Sequence, residues 1–212
     1  VTRHSLPFVL LATVALAGFA VAEPEPAPEA LALGSPAPAS DVKMKNIDGK
    51  EVSIADVHGK KGTLVVFTCN ACPWARAWEK RIAEIGNSAK KQGIGVIAIN
   101  SNDPDIQPGD NYAEMKTRAK TLKITYPYVV DASSDVARAF GASRTPEIFL
   151  FDADGKLVYR GTVDDNAKEP AKVTKTYLKD AVTAVASGKT VEVADTKAFG
   201  CGIKFRPKST SS

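Results

Sequence analysis

Histidine, methionine and cysteine are all scarce in this chain of 212 residues, which has two His, two Met and three Cys. So few imidazoles leave little to build a metal centre from, and neither a metal nor a cofactor is expected. No Gly-rich phosphate loop and no Ser/His/Asp arrangement is present, which sets aside nucleotide-dependent and triad-hydrolase chemistry. Charge of one sign is barely in excess, with 28 Lys and Arg against 24 Asp and Glu for a net +4. The basic residues are scattered among acids and form no stripe interleaved with aromatics, so no nucleic-acid partner is expected. There is no internal repeat, and the one long apolar run is Leu6 to Val21.

That run follows a short basic start, Arg3 and His4, and ends in the small-x-small triplet Ala20-Val21-Ala22. Residues 1–22 therefore read as a cleaved secretory signal, being rather short for a spanning helix. The protein is expected to be exported, periplasmic or otherwise extracytoplasmic, with no stable membrane insertion after cleavage. Residues 23–39, rich in Pro, Ala and Glu, read as a semi-extended linker. Residues 40–189 form the domain and 190–212 a tail carrying Cys201. Export brings the cysteines into an oxidising compartment, where three of them cannot all pair within one chain.

Within the domain, Val42 to Ile47 and Val52 to Ile54 flank the turn Asp48-Gly49, a hairpin signal. Thr63 to Thr68 and Gly95 to Ile99 are apolar without alternation, as in strands buried on both faces. Helical spacing predicts helices over Pro73–Ser88, Asn111–Leu122, Ser134–Phe140 and Pro170–Ala186. Tyr126–Val130 reads as a further strand, and Glu147–Phe151 with Leu157–Arg160 as a second hairpin. Alternating strands and helices of this kind make an α/β fold.

The chemistry sits in Cys69-Asn70-Ala71-Cys72, between the apolar run Leu64-Val65-Val66-Phe67 and the helix opened by Pro73. A strand that delivers two thiols to the start of a helix is the layout of a dithiol redox site. Only about 3% of an unperturbed thiol is ionised at pH 7, and a helix N-terminus raises that fraction. Pro is favoured in the first helical turn, so Cys72 falls at or near the N-cap. Cys69 lies further back, at the strand end. Three extended residues span about 10 Å, whereas a disulfide needs Cα atoms within roughly 7 Å. A Cys69–Cys72 bond therefore requires Asn70-Ala71 to turn. A Cys72–Cys201 pairing remains open, with Cys201 between two glycines as a possible resolving thiol.

The order hairpin, strand, Cys-x-x-Cys at a helix start, βαβ, Thr-Pro, hairpin and helix resembles the thioredoxin fold, with a central mixed sheet flanked by helices and an N-terminal β-hairpin extension. Gly34-Ser35-Pro36-Ala37-Pro38 and Asp48-Gly49-Lys50 are similar to redoxins of the peroxiredoxin and alkyl-hydroperoxide-reductase branch. A peroxiredoxin-like subgroup is resembled in Phe67-Thr68-Cys69-Asn70-Ala71-Cys72-Pro73, in Thr145-Pro146-Glu147, and in Tyr159-Arg160-Gly161 with Asp164-Asp165. Phe199-Gly200-Cys201-Gly202-Ile203-Lys204 carries the same likeness, which in all covers residues 34–206.

The resemblance implies a cis proline at Pro146 facing the cysteines, with Thr145 offering its backbone to an extended partner and Arg144 beside it. It also sets Cys72, rather than Cys69, at the attacking position, with Ala75 where the second thioredoxin cysteine falls. The position of the buried thioredoxin Asp holds Val66, leaving Glu147 or water to move protons. Counted back from Cys72, the peroxidase pattern Pro-x-x-x-Thr-x-x-Cys meets Cys69 in place of Thr and Val65 in place of Pro. The expected activity is thus thiol–disulfide exchange with a partner protein. Hydroperoxide reduction is the alternative, and a Cys69/Cys72/His58 copper or thiol carrier without turnover is the other. Trp74 and Trp78 are candidates for an apolar rim, and Asp164-Asp165 reads as a loop rather than a cation site.

Overall fold

The computed structural model describes residues 1–2 and 29–208. The signal reading and the first part of the linker reading fall on residues 3–28, outside the described residues. Among the described residues, no helix is long and apolar enough to cross a membrane.

The elements run β1 (Met44–Asn46), β2 (Glu51–Val52), β3 (Gly62–Phe67), α1 (Pro73–Lys91), β4 (Ile94–Asn100), α2 (Tyr112–Thr121), β5 (Tyr128–Val130), α3 (Asp135–Phe140), β6 (Arg144–Thr145), β7 (Glu147–Asp152), β8 (Leu157–Gly161), α4 (Tyr177–Ala186) and β9 (Cys201–Gly202). Two blocks of strands, β2-β1-β5-β4 and β3-β7-β8, lie side by side with β3 next to β4. At their junction the Thr68 N–H donates to the Ile99 carbonyl. β4 and β5 are parallel, while the β1–β2, β1–β5, β3–β7 and β7–β8 pairs are antiparallel. The sheet is therefore mixed.

All six residues of β3 are buried. Leu64 and Val66 face one core with Trp78 and Ile82 of α1 and Leu178 and Val182 of α4. Val65 and Phe67 face the other, with Val136 and Phe140 of α3. Successive strand residues point to opposite faces, so a strand covered on both sides is apolar throughout. Phe67, Phe140 and Phe149 meet edge to face at 5.2–5.7 Å between centroids.

Three expectations need correction. The helix placed over Pro170–Ala186 is a 3-10 turn at Pro170–Lys172 followed, after a break, by α4. The intervening residues are spent on Asp165, which accepts from the Thr174 N–H at 3.0 Å and from its hydroxyl. Residues 31–39, read from composition as linker, pack on the domain: Leu31, Ala37 and Ala39 lie against the second core. The Gly34 N–H donates to the Leu157 carbonyl at 2.8 Å. The tail is also built in, because Ala194 and Thr196 bond to the Arg160 backbone and β9 pairs with β6.

α1 carries the cysteine motif at its start, and its bearing is held by Asp164. That carboxyl group is only 5% exposed, accepts from Trp78 Nε1 at 2.7 Å and pairs with Arg81. Asp164 thus serves packing, and Trp78 is a core residue. Asp164→Ala leaves the buried Trp78 indole N–H without its acceptor and the half-buried Arg81 with only the Ala77, Asn166 and Ala167 carbonyls. The expected loss is about 3 kcal/mol, read as a lower urea midpoint, with Asp164→Asn costing less because it keeps an acceptor for Trp78.

Candidate active site

Cys72 is the N-cap of α1, with extended backbone (φ −66°, ψ 125°), and Pro73 follows as the first helical residue. The first turn opens there, the Arg76 N–H donating to the Cys72 carbonyl at 2.9 Å, as the position of Pro73 predicts. Cys69 and Cys72 are both buried and cluster with Ala75, Trp74 and Cys201. None of the three cysteines is in a disulfide.

The chain bends at Asn70 and Ala71. What bends it is Asp110, which in sequence is one acid among many in a polar loop. Its Oδ1 accepts from the Asn70 N–H at 2.6 Å and the Ala71 N–H at 2.8 Å. Its Oδ2 accepts from Asn102 Nδ2 at 2.6 Å, and its carbonyl from Asn100 Nδ2 at 2.8 Å. The Asn70 side chain is also held, donating to the Gly109 carbonyl and accepting from the Tyr128 hydroxyl at 3.0 Å. The only sequence signal for this network is the density of Asn and Asp between Asn100 and Asn111.

Opposite the cysteines stands the Thr145–Pro146 peptide, which is cis. Cys72 Sγ lies 3.4 Å from the Thr145 carbonyl oxygen, to which its protonated form donates. Cys69 Sγ shares a hydrogen bond with Thr145 Oγ1 at 3.1 Å. Glu147, a candidate proton carrier, is engaged elsewhere, since its Oε2 accepts from the Ser143 and Arg144 N–H groups at 2.8 and 3.0 Å. It holds the loop before Pro146, and burial pushes its carboxyl up from the usual range. Arg144 turns its guanidinium to the Gly200 carbonyl at 3.1 Å. Trp74 meets Phe199 edge to face at 4.5 Å, with the Lys168 ammonium 5.0 Å from its ring centre.

The two thiols of the motif are driven apart in acidity. A hydrogen bond from the Cys69 thiol is the chief stabiliser of the Cys72 thiolate, with further donation from the Cys201 thiol and the Ala75 and Cys201 N–H groups. Burial opposes them, and the net effect lowers Cys72 to about 4. The same hydrogen bond raises Cys69, helped by burial and the charge of Asp110. Burial, then the Cys72 thiolate, push Cys201 up to about 11. The arrangement thus holds one thiolate and two neighbouring thiols in neutral solution.

His58 has no part in this cluster. Its Nδ1 is 3.0 Å from Thr63 Oγ1, at the beginning of β3, whereas the cysteines follow the end of that strand. At ~3.3 Å per residue the strand separates them by roughly 20 Å. A Cys69/Cys72/His58 copper site is therefore ruled out by topology.

The family model described as "AhpC/TSA family" matches residues 33–160. The thiol-disulfide oxidoreductase ResA of Geobacillus thermodenitrificans is 28% identical over 128 residues, which span 60% of this chain and 68% of that protein. An uncharacterized conserved protein from Geobacillus kaustophilus has a solved structure that matches with a TM-score of 0.79 at 32% identity, over 89% of this chain and all of the other. The thioredoxin domain of a thiol-disulfide oxidoreductase from Bacteroides vulgatus matches with a TM-score of 0.52 at 26% identity, over 63% of this chain and 90% of that one. The fold is thioredoxin-like, as the order of elements predicts.

Two outcomes follow from the geometry. Because the Cys72 pKa is lowered to about 4, its thiolate persists as pH falls and is lost only near pH 4. Alkylation of Cys72 by iodoacetamide, followed by peptide mass spectrometry, should stay nearly flat between about pH 6 and pH 8, where a free thiol with pKa about 8.5 would rise steeply. Cys69→Ala removes the main donor and should move the midpoint up toward that value. Asp110→Ala, which strips two turn N–H groups of their acceptor, should cost about 2–4 kcal/mol in urea unfolding and raise the Cys72 midpoint in the folded protein.

Proposed function

The chain belongs to the AhpC/TSA family, and on that premise we propose that it is a thiol–disulfide oxidoreductase that exchanges disulfides with a partner protein through Cys72 and Cys69. The observation that carries this reading is the pairing of Cys72 at the helix N-cap with Cys69 beside it, both sulfurs set against Thr145. Exchange needs one low-pKa attacker and one thiol held in reserve.

Starting from the reduced protein, the Cys72 thiolate attacks one sulfur of a client disulfide. A Cys72–client bond forms, the client S–S bond breaks, and the departing client thiolate takes up a proton. Loss of charge at Cys72 removes the chief reason for the high Cys69 pKa, so Cys69 gives up its proton and attacks the Cys72 sulfur. A Cys69–Cys72 disulfide forms and the second client thiol leaves. Two electrons pass from the enzyme dithiol to the client, and the reverse sequence oxidises a client dithiol. The Asn70-Ala71 bend supports this ring closure, because an extended motif would hold the sulfurs apart.

An extracytoplasmic site of action is supported by the signal-like residues 1–22, since disulfide traffic belongs to such compartments. The peroxidase alternative calls for a cation at the attacking thiol. Arg144, the candidate beside Pro146, instead donates to the Gly200 carbonyl.

Reduction of insulin disulfides by the dithiothreitol-cycled protein should proceed without consumption of added hydroperoxide. Cys72→Ser should abolish it, while Cys69→Ser should halt multiple turnover yet leave Cys72 alkylation intact. Rapid peroxide consumption with no insulin reduction, or full activity in Cys72→Ser, would contradict the reading.

A further inference from the structure

Residues 199–204 lie across the thiol pair. β9 runs antiparallel to β6, with Cys201 opposite Thr145 and Gly202 opposite Arg144. The Ile203 N–H donates to the Ser143 carbonyl at 2.9 Å, and the Lys204 N–H to Asn102 Oδ1 at 2.8 Å. Asn102 is the residue that also binds Asp110, so one polar network fixes both the cysteine turn and the strand that covers it. Gly200 passes so close that a Cβ there would lie 2.1 Å from the Thr145 carbonyl oxygen. Phe199 rests on Trp74 but remains 49% exposed. Cys201 packs against the Cys69 and Cys72 pair.

This is what a client would do. An extended segment that adds to a short strand edge gains main-chain hydrogen bonds there and uses alternate side chains for selection. We propose that residues 199–202 are an internal pseudo-substrate. They occupy the backbone edge at Thr145 that an extended, cysteine-bearing client segment uses, and Cys201 takes the place of the client cysteine on Cys72. The proposal rests on reading Cys72 as the attacking thiol. The segment is pinned on both sides, by Thr196 to Tyr159 and Thr162 and by Arg206 to Ser134 and Asp131. It is therefore displaced locally rather than swung away, and a two-residue ladder is short enough to open. The favoured client carries an aromatic residue two positions before its cysteine, which takes over the Phe199 contact with Trp74.

The same placement has a covalent consequence when Cys69 is absent. In Cys69→Ser treated with oxidised glutathione, the Cys72 thiolate displaces one glutathione thiolate and becomes glutathionylated. Cys201, after losing its proton, then attacks the Cys72 sulfur, forms a Cys72–Cys201 disulfide and expels the second glutathione. The two electrons lost by Cys72 and Cys201 reduce the glutathione disulfide.

Two measurements on the full chain test this. Peptide-resolved labelling of reduced Cys72 with a bulky maleimide should quicken by about tenfold in Phe199→Ala and in Gly200→Val, a change equivalent to about 1.4 kcal/mol in the opening equilibrium. Phe199 is half exposed, so its variant folds whatever Gly200→Val does. Unchanged labelling in Phe199→Ala would overturn the proposal. In the second measurement, mass mapping of oxidised Cys69→Ser should find Cys72 joined to Cys201. Glutathione retained on Cys72 with Cys201 free would overturn it. Neither readout depends on turnover. Failure here beside active insulin reduction removes only the pseudo-substrate, whereas faster labelling without reduction by any variant removes only the exchange activity.

Discussion

Asp110 hydrogen-bonds the backbone N–H groups of Asn70 and Ala71, and the chemistry of the site depends on those two bonds. A stretch of two strand-like residues would hold the sulfurs too far apart to touch. Bent around one buried carboxyl group, the same four-residue motif brings the Cys69 thiol into hydrogen-bonding reach of Cys72. That contact makes Cys72 acidic and Cys69 reluctant to ionise, against the burial that would otherwise raise both. The helix N-terminus adds to the effect through the Ala75 N–H.

The second element of the site is the Thr145 edge, supported from behind by Glu147 and covered in front by β9. Glu147 accepts from two backbone N–H groups of the loop before Pro146, while Cys69 packs directly beside Cys72. The polar network of Asn100, Asn102 and Asp110 joins the motif turn to Lys204. The tail is thereby part of the site, tied to the same carboxyl group that spaces the thiols.

Much of this is legible in the sequence because it rests on local rules. An apolar strand without alternation announces a sheet covered on both faces, and β3 is such a strand. Pro73 locates the helix start, and with it Cys72 as N-cap. What escapes depends on contacts distant in sequence. Asp110 lies 40 residues from Asn70 and looks like any loop acid. The Thr174–Asp165 bonds break the helix expected from Pro170 onward, and nothing within that helical pattern foretells them. β9 is too short to show periodicity, so the tail reads as irregular although the glycine neighbours of Cys201 single it out. His58 is close to the motif in number, but β3 runs between them.

Everything proposed for the site turns on which sulfurs form the redox pair. Oxidation of the full-length protein with oxidised glutathione, followed by disulfide mapping by mass spectrometry, measures this directly. The predicted product is an intramolecular Cys69–Cys72 disulfide with Cys201 as a free thiol. Any other pairing at completion, above all one that leaves Cys72 as the free thiol, would contradict it.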